Sequence, residues 1–240
     1  MKDKLKIEIL ALIPARGGSK SIHMKNIVQF CGKPLVAYSI EIAKKSRYIS
    51  RVIVSTDSDR IRQVSLSFGA EVPFLRPEAL AGDDITDWPV FHHALQQLRQ
   101  ADNYYPEIIV HLRPTTPLRN LEKVDEAIKL LIDHPDADSV RSVSSPVQNP
   151  FKMWTLSQPY LKPLIDIGVP ESYNLPRQQL PEVLWQNGYV DVTRSRTIIE
   201  KKSMTGEKIL PYKMDDISVI DIDQPFSLKM AEFLAEHDRY

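Results

Sequence analysis

Along the chain, short β-branched apolar runs alternate with stretches whose apolar residues recur at helical spacing, the pattern of βαβ units feeding a mostly parallel sheet. Lys6–Ile13, Arg51–Ser55, Glu107–Leu112 and Ser139–Val143 read as strands. Between them, residues 34–45 place Leu35, Val36, Ile40 and Ala43 on one stripe, and residues 58–68 end at Gly69, a residue suited to the left-handed position after a helix. Asp87 is expected to cap a helix with Pro89 in its first turn and Val90, Phe91, Ala94, Leu95 and Leu98 on its apolar face. Asn120 plays the same part for a helix carrying Val124, Ile128 and Leu131.

From residue 144 to 184 this alternation stops. Pro146, Pro150, Pro159, Pro163, Pro170, Pro176 and Pro181 interrupt it, while Phe151, Trp154, Tyr160 and Tyr173 make the segment too apolar for a solvated linker. It reads as an insertion that packs against something, a second copy of the chain being the expected partner. The parallel pattern resumes with Gly188–Val192, Thr197–Ile199 and Ile217–Ile220, so the main domain comprises residues 1–143 and 185–240. A last helix, from Gln224 to about Glu236, is expected to be capped by Asp223 and to turn Phe226, Met230 and Phe233 inward.

Composition narrows the class without naming it. At 240 residues, 42% hydrophobic and 26% charged, the chain suits one globular α/β domain with a small insertion. Its 31 basic residues balance 31 acidic ones, which argues against nucleic acid or an anionic membrane as partner. Cys31 is the single cysteine, so no internal disulfide is expected, and it reads as a small packed residue. The opening residues lack a signal-peptide pattern and no apolar run is long enough to cross a membrane, so a cytoplasmic location is expected.

Chemistry enters at two places. The segment IPARGGSKSIHMKN follows the first strand, where an open α/β sheet places its ligand loops. Gly17 and Gly18 let backbone N–H groups approach phosphate oxygens, Ser19 offers a hydroxyl, and Arg16, Lys20 and Lys25 bring positive charge. The spacing fits neither a Walker loop nor a dinucleotide fingerprint, and a plain basic turn would use the same residues. Near the end, SVIDID puts Asp221 and Asp223 two apart on an extended stretch, so both project to one side. Such a pair suits Mg²⁺ bridged to phosphate oxygens; a surface charge beside a helix cap is the plainer reading. His92 and His93 are adjacent on a helix, point about 100° apart and are read as structural.

Taken in order, IPARGGSK with KNI, GKPL, VIVSTD, LRPEALAGDD, HAL, LRPTTPLR, PRQQLP, QNG and IDID resemble the CMP-sialic acid synthetase family, the acylneuraminate cytidylyltransferases, over nearly the whole chain. The resemblance implies a Rossmann-like nucleotidyltransferase fold, CTP and a 2-keto sugar acid as substrates, Mg²⁺, and a homodimer built through an inserted arm. It implies that Arg16 and Lys20 meet the triphosphate, that Lys25 and Asn26 lie near phosphates and nucleoside, and that Arg76 and Asp87 help hold the nucleotide. Arg113, Thr115, Lys152, Arg177 and Gln178 fall at positions near the sugar, and Asp221 and Asp223 at the metal. The implied reaction is in-line attack of the anomeric hydroxyl on the α-phosphorus of CTP, expelling pyrophosphate, with Arg16, Lys20, Asp221 and Asp223 as its catalytic residues.

The chain departs from the family at SIHMKN, where a glycine and a proline are common, at Arg113, where a glutamine stands near the sugar, and at Asp87, where some members have a small hydroxyl residue. The same reaction on 3-deoxy-octulosonate, legionaminate or pseudaminate is therefore an alternative. A nucleotide-sugar-dependent glycosyltransferase is the alternative from another class.

Overall fold

The computed structural model describes residues 7–214 and 219–237. Its strands and helices follow in the order β1 (Ile9–Pro14), β2 (Gln29–Phe30), β3 (Lys33–Pro34), α1 (Leu35–Lys45), β4 (Arg51–Ser55), α2 (Asp59–Ser67), α3 (Asp87–Asp102) and β5 (Ile108–His111). They continue with α4 (Leu121–Asp133), β6 (Ser139–Ser144), β7 (Trp154–Ser157), β8 (Tyr160–Pro163), β9 (Trp185–Arg194), α5 (Ser195–Ile199), β10 (Ile209–Lys213) and α6 (Pro225–His237). Six strands form one sheet in the order β10-β6-β9-β5-β1-β4. β1 pairs parallel with β4 on one side and β5 on the other, and β10 pairs parallel with β6.

Strand alternation divides the core into two layers. Ile9, Ala11 and Ile13 of β1 pack with Val36 and Ile40 of α1 and with Val124 and Ile128 of α4. Leu10 and Leu12 point the other way, onto Val90, Phe91, Ala94 and Leu98 of α3. Helices therefore cover both faces, and loops are left free at the strand ends. Ser58 caps α2 by accepting from Ile61 N, and Asn120 caps α4 by accepting from Glu122 N and Lys123 N. Gly69 closes the α2 end at φ +82, a conformation costly for residues with a side chain.

Four sequence expectations differ from what is seen. β9, which contains Gly188–Val192, runs antiparallel to both β5 and β6. The insertion leaves β6 and returns to β9 at the same edge, where Ser144 pairs with Trp185, so the returning strand has to run back. Thr197–Ile199 lies in α5 instead of a strand, because a short β-branched run is indistinguishable by periodicity from a buried helical turn, and Ile198 packs into the α3 layer. Of the expected strand 217–220, Ile217 and Ser218 lie outside the described residues, Val219 and Ile220 belong to no strand, and β10 supplies the edge. Cys31 is exposed, in the turn between β2 and β3 at φ 44.

The inward face of α6 also differs. Phe226 is 74% exposed and Phe233 54%, while Leu228, Ala231 and Ala235 pack against Phe30, Leu35 and Ile222. This helix carries two apolar stripes, and periodicity alone does not choose between them. Among the described residues no helix is long and apolar enough to cross a membrane.

Candidate active site

The chain steps from β1 to β4 on one side and later to β5 on the other, so the strand order reverses around β1. Open α/β sheets bind ligands at such a point, beyond the carboxyl ends of the strands. There a cleft of about 250 Å³ is lined by Arg16, Ser19, Lys25 and Asn26 from the loop after β1, by Arg76 and residues 80–90 from the β4 side, and by His111, Arg113 and Thr115 from the end of β5.

The loop is held from several directions. Gly17 N donates to Asp57 Oδ1 at 2.9 Å, and Asn26 Nδ2 donates to the Arg16 carbonyl at 2.8 Å. A Cβ on Gly17 would stand 3.1 Å from Ser58 Cβ, so this glycine permits close packing against the turn after β4, whereas Gly18 faces open space. Asp83 bridges the loop cations: its carboxylate lies 2.7 Å from Arg16 Nη1 and also pairs with Lys20. The hydrogen bond from Lys20, then the Lys20 charge and the contact with Arg16, hold the Asp83 carboxyl below the usual range against a smaller desolvation cost.

The acidic pair arrives from the far end of the chain. Lys25 Nζ donates to Asp223 Oδ1 at 2.9 Å, across 198 residues of sequence. Thr115 hydrogen-bonds the Asp221 side chain, and Ile222 N donates to the Thr115 carbonyl at 2.7 Å, fastening this segment to the end of β5. Desolvation, followed by the neighbouring Asp223 charge, raises the Asp221 carboxyl above its ordinary value. Asp223 does not cap α6 through its side chain; Ser227 Oγ accepts from the backbone N–H groups of Asp223 and Gln224 instead.

Two carboxylates that repel each other beside a lysine fit a divalent cation, the lysine supplying part of the positive charge such an ion would bring. Among the described residues no group of three or more His, Cys, Asp or Glu is arranged as a metal site, so oxygens of a phosphate ligand would complete the coordination.

Arg76 is buried, donates from Nε to Ser55 Oγ at 3.1 Å, and is pulled down to about 10 by desolvation. Asp87 is the first residue of α3 and not its cap, which is Thr86. Its carboxylate is 3.2 Å from Arg113 Nη2. Arg113 Nη1 in turn meets buried Asp191 at 2.7 Å, and Arg141 pairs with the same carboxylate. Arg113 therefore stands between two acids.

Lys152, Arg177 and Gln178 are not brought to this cleft within the chain; Arg177 and Gln178 line a separate cavity at the root of the insertion, where Arg177 Nη2 donates to the Pro146 carbonyl at 2.7 Å. Asp83, His111, Arg141 and Asp191 were not singled out from sequence. For His111 and Arg113 a signal existed, since polar residues at alternate positions ending an apolar strand share one face.

Moving a nucleotidyl group calls for cations at the leaving pyrophosphate and hard acids near the same phosphates, and this edge of the sheet supplies both; fold and site together define a nucleotidyltransferase. The family model described as cytidylyltransferase matches residues 10–160. CMP-N,N'-diacetyllegionaminic acid synthase of Legionella pneumophila is 33% identical over 231 residues, covering 96% of this chain and 97% of that protein. N-acylneuraminate cytidylyltransferase of Escherichia coli is 31% identical over 95% of this chain, which spans 52% of that protein's length. A solved CMP:2-keto-3-deoxy-manno-octonic acid synthetase complexed with CTP superposes with a TM-score of 0.70 at 16% identity, covering 96% of this chain and 99% of that one, a likeness of fold. The chain belongs to the cytidylyltransferase family.

Proposed function

We propose that this chain transfers CMP from CTP to the anomeric hydroxyl of a sialic-acid-like 2-keto sugar acid, releasing pyrophosphate. The observation that carries the reading is the meeting of the first loop with the last acids, through the 2.9 Å contact of Lys25 with Asp223. The full-length match to a CMP-N,N'-diacetyllegionaminic acid synthase supports the acceptor class.

Catalysis of this kind is positioning and charge neutralisation. Arg16 and Lys20 exchange Asp83 for the polyphosphate and offset charge growing on the leaving pyrophosphate. Ser19 donates its hydroxyl, and Asn26 holds the loop backbone in shape through the Arg16 carbonyl. Arg76, which lines the cleft, would meet the nucleotide. Thr115 hydrogen-bonds Asp221 and would keep it turned toward the phosphates. Asp221 and Asp223 would hold Mg²⁺, which supplies Lewis-acid neutralisation of phosphate oxygens when bound.

A homodimer in the cytoplasm completes the proposal. Lys152, Arg177 and Gln178 stand on the insertion, away from their own cleft, and would reach the acceptor of a second copy. The pairing of Arg113 with Asp87 and Asp191 distinguishes this floor from one carrying an uncharged amide, and it favours a second reading in which the acceptor is legionaminate, pseudaminate or 3-deoxy-octulosonate.

The test is pyrophosphate release from CTP with Mg²⁺ and a panel of these acids. One acid is expected to give rapid release, and silence with all of them would remove the proposal. Asp221→Ala and Asp223→Ala are expected to lower kcat by ~100-fold or more while leaving the thermal transition in place; full activity in both would refute the metal assignment.

A further inference from the structure

His111 ends β5 and lines the floor of the cleft. It is 2% exposed, and neither Nδ1 nor Nε2 has a hydrogen-bond partner among the described residues. The nearest acids, Asp87 and Asp191, place their Oδ2 atoms 3.9 and 4.0 Å from Nδ1, beyond hydrogen-bond reach. Native proteins seldom leave a buried polar ring unpaired, because it has given up water without compensation. One side of the ring packs on Phe91, with centroids 4.6 Å apart, and the cleft that His111 lines is where a ligand would supply the missing partner.

The surroundings narrow what that partner is. Desolvation, then the guanidinium groups of Arg113, Arg141 and Arg119, hold the imidazole pKa well below its ordinary value, so the ring is neutral and carries one donor and one acceptor. Arg113 and Arg141 are met by the carboxylates of Asp87 and Asp191, so among the described residues these two cations beside the ring are already neutralised. The floor offers instead an oxygen of Asp87, which accepts, beside a ring that both accepts and donates. A hydroxyl group matches both.

The phosphate loop follows β1, Arg76 lies on the β4 side, and His111 lies on the β5 side with Thr115, which holds Asp221. On the proposed reading the floor at His111, beside Arg113, faces the acceptor, with Asp87 at the border between acceptor and nucleotide.

We propose that His111, with Asp87 beside it, is a specificity-determining residue that hydrogen-bonds a hydroxyl of the sugar acid; this rests on the cytidylyltransferase reading above. The test compares the parent enzyme with His111→Leu and His111→Gln, using the acid that the panel shows to turn over fastest and its singly deoxygenated analogues. Leu keeps bulk against Phe91 and removes the polar atoms; Gln keeps a donor and an acceptor.

In H111L the acceptor KM is expected to rise about tenfold with the CTP KM unchanged. One deoxygenation that penalises the parent is expected to lose its penalty in H111L, and H111Q is expected to recover part of the acceptor KM. Equal penalties for every analogue in parent and H111L, or a CTP KM that rises as far as the acceptor KM, would overturn the proposal. Should H111L fail to fold, H111Q carries the test: a changed analogue profile supports the proposal and the parental profile overturns it. A parent that turns over no 2-keto sugar acid removes the proposed function and this inference together, whereas an active parent with an indifferent H111L removes this inference alone.

Discussion

Asp83 sits where an arriving phosphate would be neutralised, bridging Arg16 and Lys20 with one carboxylate. On the proposed reading a nucleotide would have to displace this internal anion, which would lower its apparent affinity by the fraction of molecules in which the bridge is closed. Asp83→Asn, which keeps size and removes charge, is expected to tighten CTP binding ~2–5-fold at low salt, with the gain shrinking at high salt, as read by titration calorimetry. Weaker binding in D83N would show that Asp83 supports the loop instead of competing with the ligand. The residues of this exchange were unevenly visible in sequence. Arg16, Lys20 and Lys25 crowd one glycine-containing loop, a pattern that suits an anion and equally a plain basic turn. Asp83 reads as one acid among several in LAGDDITD, and Asp191 and Arg141 each read as ordinary strand residues until β9 turns back and lays Asp191 opposite Arg141.

Elements built on local pattern alone were legible: β1, β4, β5, α1, α2 and α4 fall close to where periodicity and caps put them. What escaped depended on contacts distant in sequence. β10 carries no buried residue along its length, yet it pairs with β6 along residues 209–213. Its approach is held by Asp138, just before β6, which accepts from Lys201 Nζ at 2.8 Å and from Glu207 N and Lys208 N at 3.0 and 3.1 Å. The Lys201 contact, followed by these backbone bonds, holds the Asp138 carboxyl well below the usual carboxylate range. A depressed folded-state pKa stabilises at pH values above the unfolded one, about 4, and this contribution is lost as pH falls toward the folded value. Asp138→Asn is therefore expected to cost about 2 kcal/mol at pH 7, roughly 4–8 °C in Tm, with the gap from the parent closing below about pH 4. A gap of constant size from pH 7 to pH 3 would assign the loss to packing and not to charge.

The direction of β9 decides where the insertion stands. Since β5 and β6 both run antiparallel to β9, the carboxyl end of β6 lies at the same edge of the sheet as the cleft, and the insertion springs from that edge. Its hairpin pairs Leu156 with Leu161 and sets Trp154 on the same face, all exposed in the single chain. An isolated two-stranded hairpin is marginal in water, and an apolar face of this kind calls for cover. In the proposed dimer a second copy would provide that cover and would also give Lys152, Arg177 and Gln178 an acceptor to meet. Sedimentation is expected to give a dimer, and Leu156→Ser with Leu161→Ser a folded monomer with little turnover. Complementation separates this from a merely adhesive surface. Asp223→Ala spoils a cleft and leaves its insertion intact, while Arg177→Ala does the reverse. If each insertion serves the neighbouring cleft, co-expressed chains form mixed dimers in which one site pairs an intact Asp223 with an intact Arg177, and about a quarter of parental activity returns from two inactive variants. If each insertion serves its own cleft, no site in the mixed dimer is whole, and the mixture stays as inactive as its parts.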